Sequence, residues 1–348
     1  MIMKKLLCLL CCFVFFLFFE SKSQNENMIW YFGNHAGLEF GPEQLMVLTN
    51  GALWCNDNSS TICDPYGNLL LYTNGDTVWN KNHQIMANGT YLNGSFTSGQ
   101  CAVIVPQPGS TNYYIFTNGP FGSELGLNYS VADLSMNGGM GEVTIKNHLL
   151  FENTTEKLDA IYNPVDTSFW IVTHPFDSDC FYVYKLTSDG IIEIPIISQA
   201  AYYSGGNPWG YNAIGQMTIS PDGSKIASGV LSDGFIELLD FDMGTGVVLN
   251  SRIIPDFPNA WGIAFSPNSM ILYATRWWTD SVFRFNLSDT SLSAIIASKE
   301  LVGLATASNS YNYQAGYMQL GPDGRIYIAR YETHYLAVIN SPDVFGPD

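Results

Sequence analysis

Basic residues are scarce in this chain. It has 14 Lys and Arg against 31 Asp and Glu, a net charge of −17, and only 13% charged residues overall. Such a surface repels nucleic acid and anionic membrane, so neither is expected as a partner. Histidine is equally sparse: the five, His35, His83, His148, His174 and His334, are scattered, with no i, i+4 pair. There is no HExxH, nucleophile elbow, P-loop or dinucleotide fingerprint, which leaves no familiar catalytic motif. No CxxC or Cys/His spacing suggests zinc. No segment of ten residues shows the helical period, so little helix is expected. The longest uncharged run near the N-terminus, Leu6 to Phe19, has 14 residues, short of the ~18–20 that cross a bilayer.

That run follows Lys4-Lys5 and precedes Ser21-Lys-Ser23. Residues 1–23 therefore read as a secretory signal peptide, which would leave 24–348 as one domain, secreted or at the cell surface. An uncleaved anchor is the alternative. Four cysteines lie beyond it, Cys55, Cys63, Cys101 and Cys180. Cys55 and Cys63, eight residues apart, are the disulfide candidate.

What the chain has in quantity is aromatic residues, 14%, and a recurring turn. In Gln216 to Asp242 a short alternating strand leads into Ser220-Pro-Asp-Gly223, then Lys225 to Val230, Ser232-Asp-Gly234 and Phe235 to Phe241, with Val247 to Ile254 after a further turn. Pro presets φ, Asp bonds back to the backbone, and Gly takes the positive φ. Four short antiparallel strands so joined make one propeller blade. The phrase returns at Pro65, Pro108, Pro164, Pro267 and Pro322 with a mean spacing of about 51, near the ~40–50 residue period of propeller repeats. A pair of β-sandwiches explains the strands but not the constant phase. The fold expected is an all-β propeller of four-stranded antiparallel blades, six recognisable and seven in a longer natural protein. Trp30 to Phe40 has no turn phrase, and after Ile339 the sequence reads as loop. The ring is therefore expected to stop before its last blade closes.

Aromatics with Gly and Asn recur just before the first strand of several blades: Trp209, Tyr211 and Asn212; Asn259 and Trp261; Tyr311 and Tyr313. In a propeller these crossings share one face, around the channel mouth. Flat rings with amide side chains suit sugar or peptide. The alternative is that the rings wedge between blades as core. A non-catalytic binding module for glycan or protein follows, a monomer with no cofactor. The enzymatic alternative, lactonase-like or glycan-lyase-like, would need a metal or His/Tyr site, for which His174, Asp177, Asp256 and Tyr317 are candidates. Asp240-Phe-Asp242-Met-Gly-Thr-Gly246 resembles the start of a Ca2+ loop but lacks the later ligands.

Trp30-Tyr-Phe-Gly33, Asn34-His-Ala-Gly-Leu38, Gly67-Asn-Leu-Leu-Leu-Tyr-Thr-Asn-Gly75, Thr77-Val-Trp-Asn-Lys-Asn-His-Gln-Ile-Met86, Ile104-Val-Pro-Gln-Pro-Gly-Ser110 and Trp170-Ile-Val-Thr-His174 together resemble a family of secreted Bacteroidetes proteins. These are the gliding-motility-associated, PKD-domain-containing proteins. The resemblance implies a WD40-like or YVTN-like propeller followed by PKD repeats and a type IX secretion sorting domain. Neither of the latter two stands in this sequence, and the resemblance implies no catalytic residue.

Overall fold

The computed structural model describes residues 25–42, 44–205, 210–305, 315–331 and 333–346. The signal-peptide residues lie outside them. Among the described residues twenty-five strands form seven antiparallel sheets, taken in chain order around a ring. Blade I is β1 (Ile29–Phe32), β2 (Ala36–Phe40) and β3 (Leu45–Leu48); blade II is β4 (Ser60–Cys63), β5 (Leu69–Thr73) and β6 (Val78–Asn80). Blade III runs β7 (Ala102–Pro106), β8 (Asn112–Asn118), β9 (Leu127–Asp133) and β10 (Glu142–Phe151). Blade IV runs β11 (Thr154–Asn163), β12 (Ser168–Pro175), β13 (Cys180–Thr187) and β14 (Gly190–Gln199). Blade V is β15 (Met217–Ile219), β16 (Lys225–Val230), β17 (Phe235–Asp242) and β18 (Val247–Ile254). Blade VI is β19 (Ala260–Phe265), β20 (Ile271–Arg276), β21 (Ser281–Asn286) and β22 (Glu300–Leu304), and blade VII is β23 (Ala315–Leu320), β24 (Ile326–Arg330) and β25 (Ala337–Ile339). The one α-helix among the described residues is the six-residue Leu292–Ala297, and none is long and apolar enough to cross a membrane.

The proline turns form as their residues dictate. At Ser220 to Gly223 the Gly223 N–H donates to the Ser220 carbonyl at 2.8 Å, and Asp222 Oδ1 accepts the Ser224 N–H at 3.0 Å. Gly223 sits at φ +71°, a region L-residues avoid. A turn of this kind sends the inner strand of blades II to VII outward into the second strand.

Each middle strand packs on both faces, because a blade has a neighbour on either side. β16 is buried at five consecutive positions. The core is accordingly divided into seven clusters, one per interface. Between blades V and VI, Ile236, Leu238 and Phe257 meet Ile263, Phe265 and Phe285. Between blades VII and I the cluster is smallest: Tyr327 against Leu38 and Phe40, with Trp30 and Phe32 partly buried beside them. Tyr327 meets Trp30 and Phe40 edge to face, at 5.6 and 5.5 Å between centroids.

This arrangement corrects the expectation of six blades and an unfinished ring. Residues 29–48 build a blade of their own, because β1 pairs with β2 and β2 with β3 in register. The missing turn phrase hid it: the β1–β2 turn is Gly33-Asn34-His35, with Gly33 at φ +57° and His35 at φ +58°. Among the described residues no strand is exchanged between the first and last blades, so side-chain packing takes the place of a shared strand at the seam. Truncating a buried aromatic costs ~3–5 kcal/mol. Tyr327→Ala is therefore expected to lower Tm sharply, and in the wild type hydrogen exchange should be faster at 29–40 and 315–330 than at β16 and β20. Equal protection around the ring would show the seam to be as strong as any other interface.

Candidate ligand-binding site

Strand direction divides the loops between two faces. The proline turns lie on one. The crossings into each inner strand, and the turns between second and third strands, lie on the other. The axis is a channel of about 2580 Å3 lined by the inner strand of every blade.

An inner strand has no strand to pair with on its axial edge, so its N–H groups need other acceptors. Side chains supply them. Ser60 Oγ accepts from Ile104 N at 3.1 Å, and Asp159 Oδ2 from Ile219 N at 2.9 Å. Gln100, beside blade III, accepts from Met217 N at 2.8 Å and donates to the carbonyls of Leu158 and Met217 at 2.8 and 2.9 Å. Gln216, beside blade V, accepts from Ile263 N and Met318 N, both at 3.0 Å, and donates to the Met318 carbonyl at 2.8 Å. Tyr317 of blade VII reaches back to blade III, so close that a Cβ on Gly99 would stand 1.9 Å from its hydroxyl. The three side chains thus link blade III to V, V to VII, and VII to III across the channel.

Around this girdle the channel is acidic. Glu156 is buried and accepts the Gly99 N–H at 2.7 Å. Burial pushes its carboxyl up to about 7, with neighbouring Asp57 adding to the effect. Asp57 and Asp159 are both raised to about 6 by desolvation. The Tyr317 hydroxyl is buried and has no hydrogen-bond partner of good geometry among the described residues, although the Gly215 N–H lies near it. An unpaired buried hydroxyl costs about 1–3 kcal/mol.

From Tyr317 a ladder of rings climbs to the surface. Trp261 lies 5.0 Å from Tyr317, Trp277 stacks on Trp261 at 4.6 Å, and Trp278 stacks on Trp277 at 4.9 Å with 9° between planes. Trp278 is 65% exposed. It stands at φ +69°, where a bulky side chain is strained by about 1–3 kcal/mol. Tyr211, Tyr331 and Tyr335 line the same mouth.

Of the residues singled out from sequence, Tyr211, Asn259 and Trp261 meet at this mouth. The Asn259 carbonyl accepts the Trp277 N–H at 2.8 Å and so sets the ladder's third ring. Trp261 wedges between blades VI and VII, as the core alternative expected, and it also lines the channel. Asn212 is apart from them, only 2% exposed, its Oδ1 accepting the Asp233 N–H at 3.1 Å. Trp209, Tyr311 and Tyr313 lie outside the described residues. Sequence reasoning missed Trp277, Trp278, Asp57, Glu156 and both glutamines. The Trp277-Trp278 pair was a visible signal, and Gln216 opens the repeat phrase itself, five residues before Pro221.

The disulfide expectation is corrected. Cys55 and Cys63 are both free and buried. Cys55 packs with Tyr31, Leu53, Tyr72 and Trp79, and Cys63 belongs to the β4–β5 hairpin opposite Leu69. Burial raises their thiols to about 11 and 12. The enzymatic candidates do not converge either. Buried His174 packs on Phe181 and bonds the Pro175 carbonyl at 2.7 Å, away from the channel. Asp177 accepts the Tyr203 hydroxyl at 2.7 Å, and the Asp256 carbonyl accepts from Arg276 and Lys299 at 3.1 and 3.0 Å. In the calcium-like loop, Asp240 pairs with Arg252, while the Asp242 carboxylate accepts from Gly244 N at 2.9 Å and Thr245 Oγ1 at 2.7 Å. Among the described residues no three His, Cys, Asp or Glu side chains are grouped to hold a metal.

No protein-family model matches the chain, and neither does any curated protein. Its architecture is shared with solved structures. Hydrazine synthase of Kuenenia stuttgartiensis is similar at 14% identity over 88% of this chain and 89% of that one, with a TM-score of 0.52. A functionally unknown protein from Desulfotomaculum acetoxidans is similar at 13% over 89% and 90%, TM-score 0.49. Periplasmic gluconolactonase of Pseudomonas aeruginosa is similar at 12% over 77% and 76%, TM-score 0.47. At such identities the first of these shows a shared fold alone, and the other two add nothing to it.

The buried carboxyl has a consequence for stability. Folded Glu156 holds its proton up to about pH 7, against an ordinary value of 4.5. The unfolded chain binds fewer protons in that window, so this group's contribution is greatest below pH 4.5 and is lost as pH rises to 7. Buried Lys157, lowered to about 7, acts with the opposite sign: its penalty is relieved as pH rises from 7 toward 10.5. In a series of Tm measurements, Glu156→Gln should flatten the fall between pH 4.5 and 7.

Proposed function

We propose that this propeller is a non-catalytic carbohydrate-binding module, taking a sugar chain at the channel mouth. The observation that carries the reading is the Trp278–Trp277–Trp261 stack, which opens to solvent at one end and enters the channel at the other. Sugar rings present apolar faces and polar edges, and stacked indoles with amide and tyrosyl neighbours match both. The strained backbone at Trp278 supports a role beyond folding. Glycine would relieve that strain, yet tryptophan occupies the position. A concave, aromatic-lined mouth favours glycan over protein, which usually docks on a flatter patch of ~800 Å2.

The test separates fold from binding. Trp278→Gly should keep or raise Tm, since it removes an exposed ring from a left-handed backbone. In the same variant, affinity for oligosaccharides that the wild type retains on a glycan array should fall at least ~10-fold, or about 1.4 kcal/mol. Unchanged affinity in Trp278→Gly would overturn the reading, as would a wild type that retains no glycan.

A further inference from the structure

The aromatic ladder does not end on a neutral surface. It ends on Tyr317, whose buried hydroxyl lacks a partner and lies against Gly99, the residue whose N–H is held by Glu156. Asp57 lines the same part of the channel, and no hydrogen bond or ion pair engages its carboxyl among the described residues. Glu156 has no ion pair either. The nearby cation, Lys157, is turned away, donating to the carbonyls of Gly215 and Gly229 at 2.9 and 2.6 Å. Arg330 is the one Lys or Arg among the residues lining the channel; it stands at the mouth end of β24, beside Tyr331. The channel therefore offers an aromatic approach leading to two carboxyls without an ion pair and one hydroxyl without a partner among the described residues.

We infer that the channel floor formed by Asp57, Glu156 and Tyr317 is a subsite for a protonated amine, so that the sugar held at the mouth is an amino sugar. This rests on the carbohydrate reading above. The chemistry is complementary at each step. Indole faces attract an ammonium group as well as a sugar face. An ammonium group has three donors, and at the floor two carboxyls can accept from it. The tyrosyl hydroxyl can accept the third N–H or hydrogen-bond a sugar hydroxyl. Burial raises Glu156 despite the opposing pull of the Lys157 charge, and Asp57 is raised as well. A neutral sugar would leave the acids unpaired, and an N-acetyl group would add bulk beside Gly99 and Tyr317, which already touch.

The experiment is calorimetric titration of the full chain with glucosamine tetrasaccharide, its N-acetylated counterpart and cellotetraose. The free-amine oligomer is expected to bind at least ten-fold more tightly than the other two. Asp57→Asn and Glu156→Gln should each remove most of that preference. Tyr317→Phe should weaken amine binding while Tm holds or rises, because an unpaired hydroxyl has been removed. The net charge of −17 could attract any polycation, so Glu152→Gln, an exposed carboxyl outside the channel, is the control and should leave the preference intact. Equal binding of amine and acetylated oligomers, both abolished by Trp278→Gly, would overturn the amine subsite and leave the carbohydrate reading standing. A preference that Glu152→Gln reduces as much as Asp57→Asn would also overturn it. If none of the three oligosaccharides binds the wild type, both readings fall.

Discussion

Every inner strand of this ring turns one hydrogen-bonding edge toward the axis, where no further strand can pair with it. Backbone groups left so are costly unless something else bonds them. Here the solution is a set of side chains at the entrance to the inner strands. Ser60, Asp159 and Gln216 occupy one structural phase, each five residues before a turn proline, and each accepts a backbone N–H of the next blade. Gln100 and Gln216 also span further, and Tyr317 completes the circuit to Gly99. The girdle ties alternate blades to one another through the axis, independently of the apolar packing between neighbours.

That circuit matters because the perimeter is uneven. Most interfaces bury long rows of aliphatic and aromatic side chains, whereas blades VII and I meet through Tyr327, Leu38, Phe40 and a few partly buried neighbours. Gln216 and Tyr317 connect blade VII inward to blades V and III. Blade VII, on one side of the smallest interface, is thus also held from the centre. The same connection places a buried tyrosyl hydroxyl beside buried Glu156, where apolar side chains would have been cheaper to pack, with the carboxyl of Asp57 near them. A polar floor beneath an exposed tryptophan stack is the combination that suits a ligand with apolar faces and a charged or hydroxylated end.

Trp261 shows why core and site cannot be separated here. It stacks between Trp277 of its own blade and Tyr317 of the next, and the Trp261 carbonyl accepts the Gln216 N–H at 2.8 Å. A ring at a crossing necessarily touches the neighbouring blade and the mouth together. A change there therefore disturbs both, whereas Trp278, two rings further out, touches little besides Trp277.

The sequence by itself determined the blades. Pro-Asp-Gly turns and alternating short strands are local devices, and β15 to β18 stand where the pattern placed them, because turn chemistry and strand period act within a few residues. The first blade escaped notice for the same reason: its Gly33-Asn34-His35 turn does the work of the proline phrase with other residues. The crossing aromatics were legible by phase, and so Tyr211, Asn259 and Trp261 were found at the mouth. Only the tertiary structure decided the rest. Gln100 meets Met217 across 117 positions, and Gln216 meets Met318 across 102. Cys55 and Cys63, eight residues apart, pack in different surroundings instead of pairing. Nothing in a local pattern encodes which inner strands face each other across an axis. That follows from the number of blades and the angle between them, set by how seven apolar interfaces pack at once. Asp57, Glu156 and Tyr317 share one floor only because the ring brings blades II, III, IV and VII to the same point.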